Sequence, residues 1–119
     1  MKFPTPLLDA SIKRKKRERE ALRLEMLEKL FNILEKLSED VPFKDAYIFG
    51  SLSKPFKFFQ DSDIDIGFVG LADGDFFKAI AFLSREIGRD VDVIQLEGQR
   101  LAGKIKKEGI KWARKNSLY

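Results

Sequence analysis

The stretch Asp63-Ile-Asp-Ile-Gly-Phe-Val69 decides the fold, because apolar side chains alternate with aspartate or glycine from Asp63 to Phe68. An alternation with a period of two is typical of a β-strand that buries one of its two faces. The apolar face consists of Ile64, Ile66 and Phe68, and the opposite face of Asp63, Asp65 and Gly67. The stretch therefore predicts a strand that turns its carboxylates away from the core.

Two further segments on either side of this stretch also have the pattern of strands. Ala46-Tyr-Ile-Phe49 is a short apolar run that stops at Gly50-Ser51. Asp90-Val-Asp-Val-Ile94 alternates again, with its two aspartates on one face and its two valines on the other. The segment 110–115, which contains Ile110-Lys-Trp112, is compatible with an edge strand or with more helix.

Three helices are predicted around these strands. Residues 11–38 contain no Pro or Gly and are rich in helix formers, whereas Pro4 and Pro6 make residues 1–10 an extended arm. Shorter helices are expected from Phe76 to Ile87, where Gly88 would end the helix, and from about Gln99 to Glu108. We expect one α/β domain over residues 1–119, with helices packed on a small mixed sheet in a core of residues 44–112.

The long first helix carries two adjoining apolar stripes. The core-facing stripe is Leu22, Met26, Leu30, Ile33 and Leu37, and the second stripe is Leu24, Leu27, Phe31 and Leu34. One stripe is enough to bury a helix on its own domain, so the second indicates either a deeply embedded helix or a partner chain, possible homo-oligomers included. For a domain of this size we favour the partner.

The composition removes whole classes of chemistry. The chain of 119 residues has no Cys and no His, which excludes disulfides, thiolate nucleophiles, Cys/His zinc sites and catalytic triads with histidine. An enzyme with this composition would rely on carboxylates, amines, hydroxyls or a hard cation such as Mg²⁺ or Mn²⁺. No apolar run suits a membrane helix or a signal peptide, so we expect a cytoplasmic protein without a membrane partner.

Charge is distributed unevenly along the chain, whose net charge is +4. A basic run over residues 13–20 and a basic segment over residues 100–115 flank an acidic segment over residues 61–92. Such a distribution suits a site that holds cations and a polyanion together. Taken alone, the first basic run is most simply a solvated helix face, and binding of nucleic acid is a less favoured interpretation.

The order of the polar residues points to phosphate chemistry. An isolated Asp-x-Asp is usually the acidic outer face of a strand, but here a Gly50-Ser51 turn precedes it and Asp92 follows on a third strand. A glycine turn lets backbone N–H groups approach a phosphate closely, and grouped carboxylates repel one another unless a cation lies between them. Metal-assisted phosphoryl or nucleotidyl transfer requires such a combination. Asp90 shares a face with Asp92, and we prefer Asp92 because two valines flank it.

The ordered set of Ile48-Phe-Gly-Ser51, Ser62-Asp-Ile-Asp-Ile66 and Val91-Asp-Val93 resembles the minimal nucleotidyltransferase (MNT) domains of the DNA polymerase β-like superfamily. The ending Ile105-Lys-Lys-Glu-Gly-Ile110 is similar to a tail that is common in these small domains. The resemblance covers about residues 40–112 and implies the nucleotidyltransferase fold.

The resemblance also implies roles for individual residues. Gly50 and Ser51 would bind the triphosphate of ATP or another nucleotide. Asp63, Asp65 and Asp92 would be catalytic and would hold two Mg²⁺ ions, or Mn²⁺. Lys54 stands where related domains often carry Arg, and it would neutralise phosphate as a point charge.

Stand-alone domains of this kind are often antitoxins of helical HEPN toxins, and some transfer AMP from ATP to a toxin tyrosine. By this resemblance we expect an antitoxin-type adenylyltransferase. Two alternatives stay open, namely a non-catalytic module that neutralises a helical partner by contact, and a basic nucleic-acid-binding domain.

Overall fold

The computed structural model of the protein describes residues 6–113, with side chains from residue 8 onward. Its helices and strands, in chain order, are α1 (Pro6–Asp40), β1 (Asp45–Phe49), β2 (Ile64–Val69), α2 (Phe76–Ile87), β3 (Val91–Gln95), α3 (Ala102–Glu108) and β4 (Ile110–Trp112). Short 3₁₀ turns at Gly50–Ser53 and Asp73–Asp75 lie between them. Within the described residues, no helix is both long enough and apolar enough to span a membrane.

The four strands form one mixed sheet in the order β3-β2-β1-β4. β1 runs antiparallel to both β2 and β4, whereas β2 and β3 are parallel, with α2 as the crossover between them. The α/β architecture with a small mixed sheet is therefore confirmed. The undecided segment resolves in part, because Ile110–Trp112 is an edge strand and residues 114 and 115 lie outside the described residues.

The two faces of the sheet carry different layers. One face presents Ile48, Ile64, Ile66 and Phe68 to the large core, which α1 and α2 complete. The opposite face has a smaller cluster, in which α3 contributes Ile105. The alternation of apolar and polar residues on β2 thus places its aspartates on the thinly covered face. That face is the one left open for a site.

Helix α2 spans Phe76–Ile87, the predicted range, and ends as its sequence indicates. Gly88 adopts a left-handed φ of 77° and donates its backbone N–H to the Ser84 carbonyl. Glycine adopts this conformation at little cost, which makes it the usual residue after a helix end. The apolar face of the helix, with Ala79 and Leu83, packs into the large core.

The boundaries of several elements differ from those that the sequence predicted. The extended arm over residues 1–10 is wrong for residues 6–10, because α1 begins at Pro6, and residues 1–5 lie outside the described residues. Proline is tolerated in the first helical turn, where its missing N–H would have no partner inside the helix. The helix continues to Asp40 rather than to residue 38, and α3 begins at Ala102 rather than near Gln99.

The second apolar stripe of α1 belongs mostly to the domain itself. Leu34 is completely buried, Leu27 and Phe31 are half-buried against the large core, and Leu24 alone is exposed, at 53%. The helix is more deeply embedded than one stripe requires, because α2 packs against it and its buried residues share the large core with those of the sheet. The preference for a partner chain over this stripe is therefore wrong for Leu34 and stays a prediction for Leu24, Leu27 and Phe31.

Candidate functional site

Two aspartates face each other on the open side of the sheet. The parallel register of β2 and β3 places Asp65 directly opposite Asp92. Asp65 is half-buried and Asp92 is exposed. Asp63 and Asp90 stand just before their strands, and both are exposed. The register thus pairs Asp92, rather than Asp90, with the central carboxylate.

Asp65 is the electrostatically perturbed member of this group. Burial raises the pKa of its carboxyl group, and the negative charges of Asp92 and Asp63 raise it further. A hydrogen bond between the Asp65 and Asp92 carboxyl groups acts in the same direction. Two carboxyl groups this close share a proton or bind a cation, since like charges without a counterion repel each other.

Gly50 brings the backbone against the Asp65 carboxylate. Phe49 is the cross-strand partner of Asp65, so the chain leaves β1 beside that residue. Gly50 has a left-handed φ of 72°, and a Cβ atom at this position would collide with Oδ2 of Asp65. Both the conformation and the close approach require glycine. The predicted Gly-Ser turn and the predicted carboxylate are therefore in contact.

A tight 3₁₀ turn continues from Gly50 through Ser51 to Ser53. The Ser53 hydroxyl donates to the Gly50 carbonyl at 2.7 Å, and the Lys54 amide donates to the Ser51 carbonyl at 3.2 Å. Ser51 is half-buried and Lys54 is exposed. Ser53 therefore stabilises the turn. The sequence motif Gly50-Ser51 did not indicate that Ser53 has this role.

Arg23 of α1 anchors this turn to the first helix. Its side chain is buried, and Nη1 donates to the Leu52 carbonyl at 3.1 Å. The same guanidinium donates to both carboxylate oxygens of Glu20, at 2.9 and 2.7 Å. A fork of this kind orients both partners more firmly than a single bond would. The helix therefore fixes the position of the turn relative to the sheet.

Glu20 extends the same anchor to the following loop. Its Oε1 accepts the backbone N–H of Phe56 at 2.9 Å, where the chain has a φ of 64°. Hydrogen bonds from Arg23 and Phe56 hold the pKa of the Glu20 carboxyl below its usual value, while the bond to Glu20 raises the pKa of Arg23. Glu20 and Arg23 both lie in α1, and the apolar stripes of that helix did not indicate that it supports the Gly-Ser turn.

Arg89 holds the other end of the loop, next to β2. Arg89 donates to the carbonyls of Ser62 and Gln60, at 2.9 and 2.7 Å, and its guanidinium lies 5.1 Å from the centre of the Phe58 ring. Phe58 is completely buried, and this contact fixes the approach of the chain to β2. The loop between Gly50 and β2 is therefore tied to the body at both ends.

Two adjoining cavities open beside the aspartates. The larger one, of about 840 Å³, is lined by Asp65, Asp92 and Arg100 together with apolar side chains that include Phe76 and Leu101. The smaller one, of about 220 Å³, has Gly50, Lys54 and Lys104 in its wall. Phe49, Leu101 and Ile105 border both cavities. Carboxylates line the larger cavity, and the glycine turn and lysines line the smaller one; together the two cavities form the candidate cleft.

Comparison with solved structures finds the same fold. One is a toxin–antitoxin complex with AMP-PNP, which matches at a TM-score of 0.59 and 23% identity, over 74% of this chain and 76% of the other. The MntA–HepT toxin–antitoxin complex matches at 0.51 and 19%, over 73% and 71%. A Sulfolobus solfataricus protein, described provisionally as a nucleotidyltransferase, matches at 0.51 and 26%, over 80% and 86%. No protein-family model and no curated protein matches the chain.

The chain has the nucleotidyltransferase fold.

The nucleotidyltransferase fold brings most of the predicted site residues together. Gly50, Asp65 and Asp92 meet at one end of the neighbouring strands β1, β2 and β3, and Lys54 borders the adjoining cavity. Asp63 adds its charge to Asp65 without lining either cavity. Within residues 6–113, no group of three acidic side chains is arranged closely enough to hold a metal ion. The two facing carboxylates have the oxygen chemistry that a hard cation prefers, and the third would have to approach them.

Proposed function

We propose that the domain is a Mg²⁺-dependent nucleotidyltransferase that transfers AMP from ATP to a protein partner, in the manner of an antitoxin. One observation carries the proposal, which is that Asp65 and Asp92 face each other against the Gly50 turn in the wall of a cleft. The likeness to toxin–antitoxin structures, one of which contains AMP-PNP, supports a nucleotide and a toxin as ligands.

The cleft has a chemically suitable part for each portion of ATP. The adenine and ribose would occupy the large cavity against Phe76 and Leu101, because a base gains most from apolar and aromatic walls. The triphosphate would extend past Gly50 and Ser51 towards Lys54 and Lys104, where backbone N–H groups and ammonium groups favour negative charge. Asp63, Asp65 and Asp92 would hold Mg²⁺, which supplies positive charge for the phosphate oxygens.

The transfer would proceed by direct attack of the acceptor on ATP, without a covalent intermediate on the protein. The hydroxyl oxygen of the acceptor bonds to the α-phosphorus, the bond between the α- and β-phosphates breaks, and pyrophosphate leaves with the bonding electron pair. The hydroxyl proton passes to a carboxylate, and Asp92 is the exposed member of the facing pair. Positioning and charge stabilisation would then account for most of the rate.

A thermal-shift titration tests the site. Mg²⁺ and ATP together should raise Tm more than the sum of their separate effects, because ligands that bind only the native state stabilise it. Asp65→Asn should remove this synergy. Asp61→Asn, an exposed aspartate in the loop before β2, is the matched control and should keep it. Equal synergy in Asp65→Asn and the parent protein would exclude the carboxylate site.

The acceptor is tested with a partner toxin of the helical HEPN type. Intact-mass analysis of co-expressed toxin should show the added mass of a nucleotide monophosphate with the parent protein and none with Asp63→Ala or Asp92→Ala. A catalytic antitoxin should also neutralise the toxin at much less than one copy per toxin.

A second function is neutralisation by contact. It is favoured by the separation of Asp63 from the facing pair, since no three acidic side chains of the described chain form a metal site as they stand. A contact inhibitor requires about one copy per toxin and leaves no covalent mark. Neutralisation by the Asp63→Ala protein at parent strength, with no change in the toxin's mass, would establish this function and overturn the enzymatic one.

A further inference from the structure

The first half of α1 extends beyond the body of the domain. The side chains from Ile12 to Glu18 are all exposed, and the first buried side chain of the helix is that of Arg23. At a rise of 1.5 Å per residue, residues 6–21 span about 24 Å of helix. The described chain measures 60 × 29 × 28 Å, so it is about twice as long as it is wide, and this projection accounts for most of the difference. The candidate site uses none of it.

The projecting helix is strongly basic around its whole circumference. Residues 13–19, the basic arm, contain six Lys and Arg residues and one Glu. Successive residues are turned by about 100° in an α-helix, so this run places bases on every side. Leu8 and Ile12 lie on the same side as Lys15 and Arg19, so the arm has no separate apolar face.

The stability of the helix does not explain this charge. Like charges stand four residues apart at Lys13 and Arg17 and at Lys15 and Arg19, a spacing that destabilises a helix. The ion pairs of the arm, Asp9 with Lys13 at 3.4 Å and Arg14 with Glu18 at 3.8 Å, are exposed and contribute little. With the residues that the structure describes, Lys15, Lys16 and Arg17 form no ion pair. Their charge is available to a partner.

We propose that the basic arm binds double-stranded DNA by lying in the major groove and contacting phosphates on both of its walls. An α-helix with its side chains is about 10–12 Å wide, and the major groove of B-DNA is about 12 Å wide. A helix with bases on every side meets both phosphate walls at once. A lipid surface would instead favour bases on one face and apolar residues on the other, and the arm of a second copy would be repelled.

The root of the arm is held rigidly, which lowers the cost of ordering it on DNA. The Arg19 guanidinium lies 4.7 Å from the centre of the Phe59 ring, and one turn later Arg23 is anchored to Glu20 and to the Leu52 carbonyl. A preformed element binds without first losing conformational freedom. The arm therefore has a fixed direction relative to the body.

Fluorescence anisotropy with a labelled 20-base-pair DNA duplex tests the proposal. The test variant replaces three bases of the arm, K15Q, K16Q and R17Q, and Gln keeps the helix propensity while it removes the charge. The control variant removes the same charge from three exposed lysines of the body, K36Q, K78Q and K107Q. Circular dichroism confirms that both variants retain the helix content of the parent protein.

We expect the arm variant to bind DNA about 100-fold more weakly than the parent near 0.1 M salt, because three phosphate contacts are lost. Its plot of log affinity against log salt should be less steep by about 2.7, since each contact contributes about 0.9 to the slope. The control variant should lose less than about threefold. Equal losses in the two variants would overturn the proposal, as would tighter binding of the parent to an RNA duplex or to anionic vesicles than to DNA.

Discussion

Asp65 and Asp92 lie directly opposite each other across the parallel pair of β2 and β3, with Asp65 half-buried and Asp92 exposed. Burial and the neighbouring negative charges hold the pKa of Asp65 above its ordinary value of 3.8. The pair therefore opposes folding when both groups are ionised, and it provides attraction for a cation. A site that is unfavourable when empty is typical of function rather than of stability.

We expect Asp65→Asn to raise the Tm of the ligand-free protein at pH 7 by a few degrees. Because the pKa of Asp65 is raised in the folded state, the free energy of unfolding falls as the pH rises from the ordinary pKa of 3.8 through the raised value. The reason is that ionised Asp65 is less favourable in the folded chain than in the unfolded chain. The gain should shrink as the pH falls and vanish below the ordinary pKa. Thermal unfolding of the parent, Asp65→Asn and Asp61→Asn between pH 3 and pH 7 measures it. A gain of the same size in Asp61→Asn would assign the effect to overall charge.

Gly50→Ala should impair both folding and the nucleotide site. The substitution forces a side chain into a left-handed conformation and into the Asp65 carboxylate, so we expect a loss of about 2–4 kcal/mol. Gly88→Ala is the matched control, because its φ of 77° is equally left-handed while nothing lies within 4 Å of the added Cβ. It should cost about 1 kcal/mol and leave the ATP-dependent rise in Tm unchanged. Urea denaturation and thermal shift separate the two effects, and equal losses would show that the contact with Asp65 has no consequence.

Arg23→Gln should release the turn that carries Gly50 and Ser51. It leaves the Glu20 carboxylate without its charged partner and removes the bond to the Leu52 carbonyl, so we expect a loss of about 2–3 kcal/mol and weaker binding of ATP. Arg14→Gln breaks an exposed ion pair of the same helix and should cost less than about 0.5 kcal/mol.

The pH dependence distinguishes the Glu20–Arg23 pair from simple packing. Because the pKa of Glu20 is lowered in the folded state, the stability due to this pair is complete above the ordinary pKa of 4.5 and is lost as the pH falls through the lowered value. The stability difference between the parent and Arg23→Gln should therefore narrow in acid. A difference that stays constant from pH 7 to pH 3 would show that the arginine acts through its packing alone.

The second stripe of α1 should separate into an exposed part and a buried part. Replacing Leu27 and Phe31 together by Glu should destabilise the domain by more than about 3 kcal/mol, because both side chains pack against the large core. Leu24→Glu should change stability by no more than about 0.5 kcal/mol, since that side chain is 53% exposed. Chemical denaturation of the two variants provides the measurement. A double variant with the stability of the parent would instead assign Leu27 and Phe31, with Leu24, to a partner surface.

Most of the secondary structure could be predicted because its causes are local. The alternation on β2 and β3 fixes which residues share a face, and Gly88 after an amphipathic run ends α2 where expected. The stripe on α1 was harder, because periodicity reports that a side of a helix is apolar without reporting what covers it. Leu34 is buried by the domain itself, a fact that depends on how closely α2 and the sheet approach the helix.

The sequence by itself determined the residue types of the site, their order and the faces of the strands on which they lie, since these follow from spacing along the chain. Only the tertiary structure decided the pairing of Asp65 with Asp92 and the anchoring of the Gly50 turn by Arg23, 29 residues away in sequence from the Leu52 carbonyl it contacts. Strand register and contacts between distant segments depend on how the elements pack, because one register buries the apolar face and a shift by one residue would expose it.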